Sequence, residues 1–229
     1  MAKAASRILI TPVYRMSFPN LSQPRSFQDK ADGKKSYNVE MIFEAADLQA
    51  FKLWNDETGN FEEVDVRQIA AQVAKEQWPG INVKSEFQPG RNWPIHDGDT
   101  RAAEQERKGK KGDHYKGMKV IRAGTDESIP PRLYTVENKR RVELVRGDDA
   151  DKAKIESLFV GGNYALSEVT VKATETPQGR FIKFYLGGTK FVRQGEKLGS
   201  PSMMDRFDGI TGGSSEHDPT DGLDDDIPF

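Results

Sequence analysis

The strongest constraint on the fold is a pair of alternating segments late in the chain. Residues 164–174 and 180–192 each alternate apolar with polar side chains, and Thr176-Pro177-Gln178-Gly179 separates them. Period-two alternation marks a strand with one buried face, and a Pro-x-Gly turn between two such runs joins them as a hairpin. On the second strand Ile182, Phe184 and Leu186 share one face, while Phe181, Lys183 and Tyr185 share the other. On the first, Ala165, Val169 and Val171 are expected inside, which leaves Tyr164, Thr170 and Lys172 on the outer side.

Further strands are expected over 6–15, with Pro12 at an edge or bend, and over 36–43, where Tyr37, Val39, Met41 and Phe43 share a face. Residues 118–122 and 132–136 read as short strands, the latter following Pro130-Pro131. Helical spacing is present in 45–55, through Leu48, Phe51 and Trp54, and in 64–78, through Ile69, Val73 and Gln77, where Pro79-Gly80 stops it. A short helix is expected over 148–158, ended by Gly161-Gly162. Residues 97–116 show no periodicity and contain several glycines, so a long exposed loop is expected there. The fold class is therefore mainly β: an OB-like Greek-key barrel with inserted helices and a long loop. A generic α+β sheet fits the same pattern.

From Gly199 onward the composition shifts to Gly, Ser, Pro and Asp, too apolar-poor to offset its own ordering entropy. The expected organisation is a folded domain over 1–200 and a disordered acidic tail over 201–229. The formal net charge of −2 conceals a division along the chain. Residues 212–229 carry six acids and no Lys or Arg, which leaves 34 basic and 30 acidic residues in the remainder. A basic body beside an acidic tail favours different partners at the two ends.

Several function classes fall away. There is no cysteine, hence no disulfide, thiolate zinc site or cysteine nucleophile. No run approaches the 18 or so apolar residues of a membrane span, and the five-residue apolar stretch near the N-terminus is short for a signal peptide. A reducing cytoplasm suits such a chain.

What remains is a chemistry of binding. Phe181, Lys183 and Tyr185 present an aromatic–basic–aromatic face; bases of single-stranded nucleic acid stack on such rings while a lysine meets the phosphate. If an inserted helix covers that face, the same rings are ordinary core. Tyr164 and Lys172 extend the platform. Tyr115, Lys116, Lys119 and Arg122 are expected to form a loop wall, with Lys34, Lys35, Arg140 and Arg141 as outer electrostatics. Three basic clusters on separate loops can converge on a phosphate backbone, although each alone also fits a solvated surface. The terminal Asp224-Asp225-Asp226-Ile227-Pro228-Phe229 combines upstream charge, an apolar plug and a carboxylate, the make-up of a compact peptide ligand for a basic partner.

That hexapeptide resembles the C-terminus of bacterial single-stranded DNA-binding proteins. The body resembles instead the single-stranded DNA-binding proteins of tailed phages. The resemblance rests on Pro-x-x-x-Gly-Asp at 94–99, Tyr-x-Gly-Met at 115–118, Pro130-Pro131, Gly161-Gly162-Asn163-Tyr164, and Gly195-Glu196-x-Leu-Gly. It implies an OB-related fold, sequence-tolerant binding of single-stranded DNA without a cofactor or metal, and action in the cytoplasm of the infected host. Through the tail it implies recruitment of replication or repair proteins.

Three rival readings stand beside this one. His96, Asp97 and Asp99 are a possible divalent-metal set for a nuclease, although Asp is equally a turn residue in such a segment. A strand-annealing recombination protein would also bind single-stranded DNA, and a hub protein would use the tail alone.

Overall fold

The computed structural model describes residues 5–26, 33–55, 57–89 and 91–198. The expected tail over 201–229, including Asp224–Phe229, lies outside the described residues.

In chain order, β1 (Ser6–Ile10), β2 (Tyr14–Ser26) and β3 (Lys35–Phe43) are followed by a one-turn 3-10 helix (Ala46–Gln49) and the hairpin β4 (Phe51–Asn55) and β5 (Asn60–Val64). Helices α1 (Val66–Gln77) and α2 (Val83–Glu86) lead to β6 (Ile95–Asp97), α3 (Gly98–Arg107) and β7 (Lys119–Asp126). Last come β8 (Arg132–Glu137), β9 (Arg140–Leu144), α4 (Asp149–Leu158), and the long hairpin β10 (Tyr164–Thr176) and β11 (Gly179–Arg193).

Five strands close a ring. β2 pairs β3, and β3 pairs β7, both antiparallel. β7 pairs β11 in parallel, β11 pairs β10 antiparallel, and β10 returns to β2 through Tyr164↔Arg15 and Ala165↔Tyr14. A three-stranded meander closed by a hairpin whose second strand runs parallel to the third is the OB-barrel order, the first of the two fold classes that the sequence pattern fits. Beyond the ring, β10 continues into β1, β4 and β5, and β11 into β8 and β9.

The alternation that defines the terminal hairpin decides its two faces. Ile182, Phe184 and Leu186 are each 3% exposed, and Ala165, Val169 and Val171 are fully buried. Burying each of the larger side chains stabilises the barrel by about 1.5–3 kcal/mol. They join one core with Met16, Val39, Met41 and Phe43 of the meander and with Ile69, Ala70 and Val73 of α1. A register shift between Glu168 and Val169 places the Gly187–Gly188 bulge on β11, where a Cβ at Gly187 would come within 2.7 Å of the Glu168 carboxylate.

Three expectations are corrected. Residues 51–55 are a strand rather than the end of a helix: Phe51 is buried in the core while Lys52 and Trp54 face outward. The 3.6-residue spacing of Leu48, Phe51 and Trp54 was a coincidence of a short 3-10 turn followed by a strand. Residues 97–116 are not a loop but carry α3, capped by Asp97, whose side chain accepts from the amides of Asp99 and Thr100. Arg140 and Arg141, expected on a loop, begin strand β9 of a hairpin: Asn138 and Lys139 both have positive φ, the geometry of a two-residue turn that brings Glu137 opposite Arg140.

Candidate nucleic-acid interface

A groove of about 590 Å³ crosses the outer face of β3, β7 and β11. The registers lay Asn38, Gly124 and Tyr185 in one row across its floor, with Arg122 and Lys183 in the next. Phe181 lies further along β11, and Lys34 and Lys35 stand at the mouth where the chain enters β3. Phe181 and Tyr185 are half-buried and Lys183 is exposed, so among the described residues no inserted helix covers this face. Lys183 Nζ sits 5.3 Å from the Phe181 ring centre, and Lys172, on the neighbouring strand, holds its Nζ 5.9 Å from that of Tyr185.

The opposite wall comes from residues 91–96, which supply Arg91, Trp93, Pro94 and His96. Asn92 holds this wall to the floor. Its side chain donates to the carbonyls of Glu86 (3.0 Å) and Arg180 (3.1 Å), and its own carbonyl accepts from Ile182 N at 3.2 Å. Trp93 is braced by Phe87 at 6.0 Å, itself 6.0 Å from Trp78 at the end of α1. The indole thus lines the same groove as the two rings of β11. Burial, and then the charge of Arg122, hold the His96 imidazole below its ordinary pKa.

Arg122 is set by a buried acid. Glu40, 8% exposed, accepts Arg122 Nε at 2.8 Å, Arg101 Nη2 at 2.7 Å and Nε at 3.3 Å, and the Tyr115 hydroxyl at 2.6 Å. A buried carboxylate is tolerable only when so surrounded. The Arg122 bond uses Nε, and its side chain remains 48% exposed, so the guanidinium is oriented while its outer edge faces the groove. At the mouth, Lys34 lies 2.6 Å from Asp126; that hydrogen bond, together with bonds from Ser128, pulls the Asp126 carboxyl down to about 2. Lys35, Arg91 and Lys183 have no carboxylate partner among the described residues.

Of the residues singled out in the sequence, the groove therefore gathers Lys34, Lys35, Arg122, Phe181, Lys183 and Tyr185, with Lys172 beside it. Others lie elsewhere. Tyr115 forms no exposed wall: it is fully buried, hydrogen-bonded to Ser17 and Glu40, and burial pushes its phenol well above the usual value. Lys116 pairs with Asp113 and Glu106, and Lys119 with Asp97 at 2.6 Å, all away from the groove. Tyr164, eight residues from Lys172 and so on the order of 26 Å along an extended strand, stacks on Arg193 at 3.5 Å. Arg141 lies over Tyr134 at 5.0 Å and borders a separate hollow of about 330 Å³ with Arg132 and Lys190, while its neighbour Arg140 pairs opposite Glu137 in the β8–β9 hairpin. The metal set dissolves as well: Asp97 caps α3 and binds Lys119, and Asp99 accepts from Gly117 N. Among the described residues no three His, Asp or Glu side chains are grouped to hold a metal ion.

Arg91 and Trp93 escaped the sequence reading. Their place in the wall depends on Asn92 reaching Arg180, 88 residues away, and nothing local signals it.

An OB barrel with a basic, aromatic-lined groove across its second and third strands is the class that fold and site define. No protein-family model matches the chain, and no curated protein does. Among solved structures, the single-stranded DNA-binding protein of bacteriophage Enc34 in a C-terminal truncation matches with a TM-score of 0.57 at 15% identity, over 86% of this chain and 95% of that one. The same phage protein in complex with ssDNA matches with a TM-score of 0.57 at 14% identity over the same shares. A further structure of the Enc34 protein gives 0.56 at 15% identity, over 90% of this chain and 96% of that one. At this identity the likeness establishes a shared fold.

Proposed function

We propose that this chain binds single-stranded DNA with little regard to sequence, in the groove across β3, β7 and β11. The observation that carries the reading is the meeting of Trp93, Phe181 and Tyr185 with Lys34, Lys35, Arg91, Arg122 and Lys183 around one open groove. Rings stack on any base, and cations track the backbone; neither reads a base edge. The shared fold with a phage protein solved in complex with ssDNA supports the same reading. No cofactor, metal or catalytic group enters it. Among the described residues no helix is long and apolar enough to cross a membrane, and the site of action we infer is the cytoplasm of an infected bacterium.

The role is to cover and protect single strands during phage DNA replication, recombination or repair. The acidic tail over 201–229 completes the proposal: Asp224, Asp225, Asp226, Ile227, Pro228 and Phe229 recruit replication or repair proteins, and the tail's charge competes with DNA for the groove.

The deciding experiment is a titration of tryptophan emission with oligo-dT and with a matched duplex at several salt concentrations. Salt-sensitive quenching by oligo-dT, with much weaker binding of the duplex, is expected. Absence of binding to either, with and without residues 212–229, refutes the proposal. Deleting 212–229 is expected to tighten binding to oligo-dT; unchanged affinity would remove the competition and leave recruitment standing.

A further inference from the structure

The groove stops at Tyr185, but the sheet face that carries it continues. Tyr185 pairs Thr170 on β10, Thr170 pairs Ile8 on β1, and the β1–β4 register, Leu9↔Leu53 and Ile10↔Lys52, sets Ile8 opposite Trp54. Trp54 pairs Phe61 on β5. Because Leu9 and Phe51 join the core with α1 on the other side, alternation places this whole line on the uncovered face.

Three apolar side chains stand in water along it. Ile8 is 57% exposed, Trp54 48% and Phe61 52%, and the two rings meet edge to face at 5.1 Å. Single exposed apolar residues are unremarkable, whereas a contiguous row of three marks a contact surface. With strands about 4.8 Å apart, Trp54 lies roughly 14 Å from Tyr185 and Phe61 roughly 19 Å. Lys172 stands at the junction, its Nζ already over the Tyr185 ring, and Lys52 flanks Trp54 on β4.

We propose that a single DNA strand leaving the groove past Tyr185 crosses β10 and β1 and stacks further bases on Trp54 and Phe61. The proposal rests on the groove reading above. Continuity of one sheet face, a cation at the junction and a second pair of exposed rings in the same row favour a nucleic-acid strand over a protein partner. Ile8 and Thr170 then form the passage between two stacking stations.

Oligomer length separates the stations. An oligo-dT of about five nucleotides fills the groove, and one of about sixteen reaches both, within the span of site sizes that single OB folds show. The double variant Trp54→Ala/Phe61→Ala is expected to bind the short oligomer as the wild type does and to lose about fivefold or more per ring on the long one. In a Trp93→Phe protein, where Trp54 is the exposed indole and Trp78 is buried, emission should be quenched by the long oligomer and not by the short. Equal affinities of the double variant and wild type for the long oligomer, with normal binding of the short one, overturn the extension and leave the groove intact. So does self-association of the DNA-free protein that the double variant abolishes, since a second copy then covers the face. Failure of the wild type to bind either oligomer removes the groove reading itself.

Discussion

The salt dependence of binding can be worked out from the groove. Five cations line it: Lys34, Lys35, Arg91, Arg122 and Lys183. Each phosphate neutralised on a single strand releases counterions that steepen log K against log salt by about 0.7. If all five engage, the slope is about −3.5, and affinity falls roughly a hundredfold between 50 and 200 mM salt. If Lys34 stays with Asp126 and Arg122 with Glu40, three remain and the slope is about −2. Lys183→Ala removes a cation without a carboxylate partner from the centre of the floor, so its slope should be shallower than the wild type's by about 0.7. Lys116→Ala, whose ammonium is engaged by Asp113 and Glu106 away from the groove, should leave the slope unchanged. Emission titrations with oligo-dT at four or five salt concentrations measure all three slopes. A wild-type slope shallower than about −1, or equal effects of the two substitutions, would show that the groove is not where phosphates lie.

Three further outcomes are expected. Phe181→Ala and Tyr185→Ala should each weaken oligo-dT binding by about 1–3 kcal/mol with an unchanged circular dichroism spectrum, and intact affinity in both would move the stacking platform elsewhere. His96 has a folded pKa below its ordinary 6.5, so the folded state holds fewer protons than the unfolded one: this contribution to stability is whole above about pH 6.5 and is lost as pH falls through the depressed value. Bound phosphate favours the imidazolium, so affinity for oligo-dT should rise from pH 7.5 to 5.5 in the wild type and stay flat in His96→Gln; parallel profiles would take His96 out of the interface. Tyr115→Phe leaves Ser17 and Glu40 short of a partner in the interior and should cost about 1–3 kcal/mol in denaturant unfolding, a loss under about 0.5 kcal/mol arguing against the buried network.

The barrel was legible where one face of a strand meets the core and the other meets water. Ile182, Phe184 and Leu186 against Phe181, Lys183 and Tyr185 state both the fold and half the groove within residues 181–186. Helix α1 was legible for the same reason at a different period, through Ile69 and Val73. Legibility failed where an element buries almost nothing. Edge strand β5, Asn60–Val64, has no buried residue, and α3 inserts little beyond Ala102 and Gln105. Tyr115 was misplaced with α3, since a single ring plugged into a polar network has no neighbours in sequence to announce it. The wall of the groove was invisible for a third reason: Trp93 gets its position from hydrogen bonds between its neighbour Asn92 and Arg180 and Ile182, distant in the chain.

The parallel seam between β7 and β11 carries a consequence for how the molecule is made. The ring is shut by strands that come last, and pairs such as Ser6↔Lys172 join residues more than 160 positions apart. A chain rich in such distant pairings folds slowly compared with one built of local contacts. While the ribosome has yet to deliver residues 164–193, β2, β3 and β7 form an open three-stranded sheet with the edge of β7 bare at Ala123 and Gly124. Such an edge invites pairing with other chains, so the nascent protein is most prone to aggregate just before it is complete. The same order of events leaves the groove with two of its three floor strands until synthesis has passed β11.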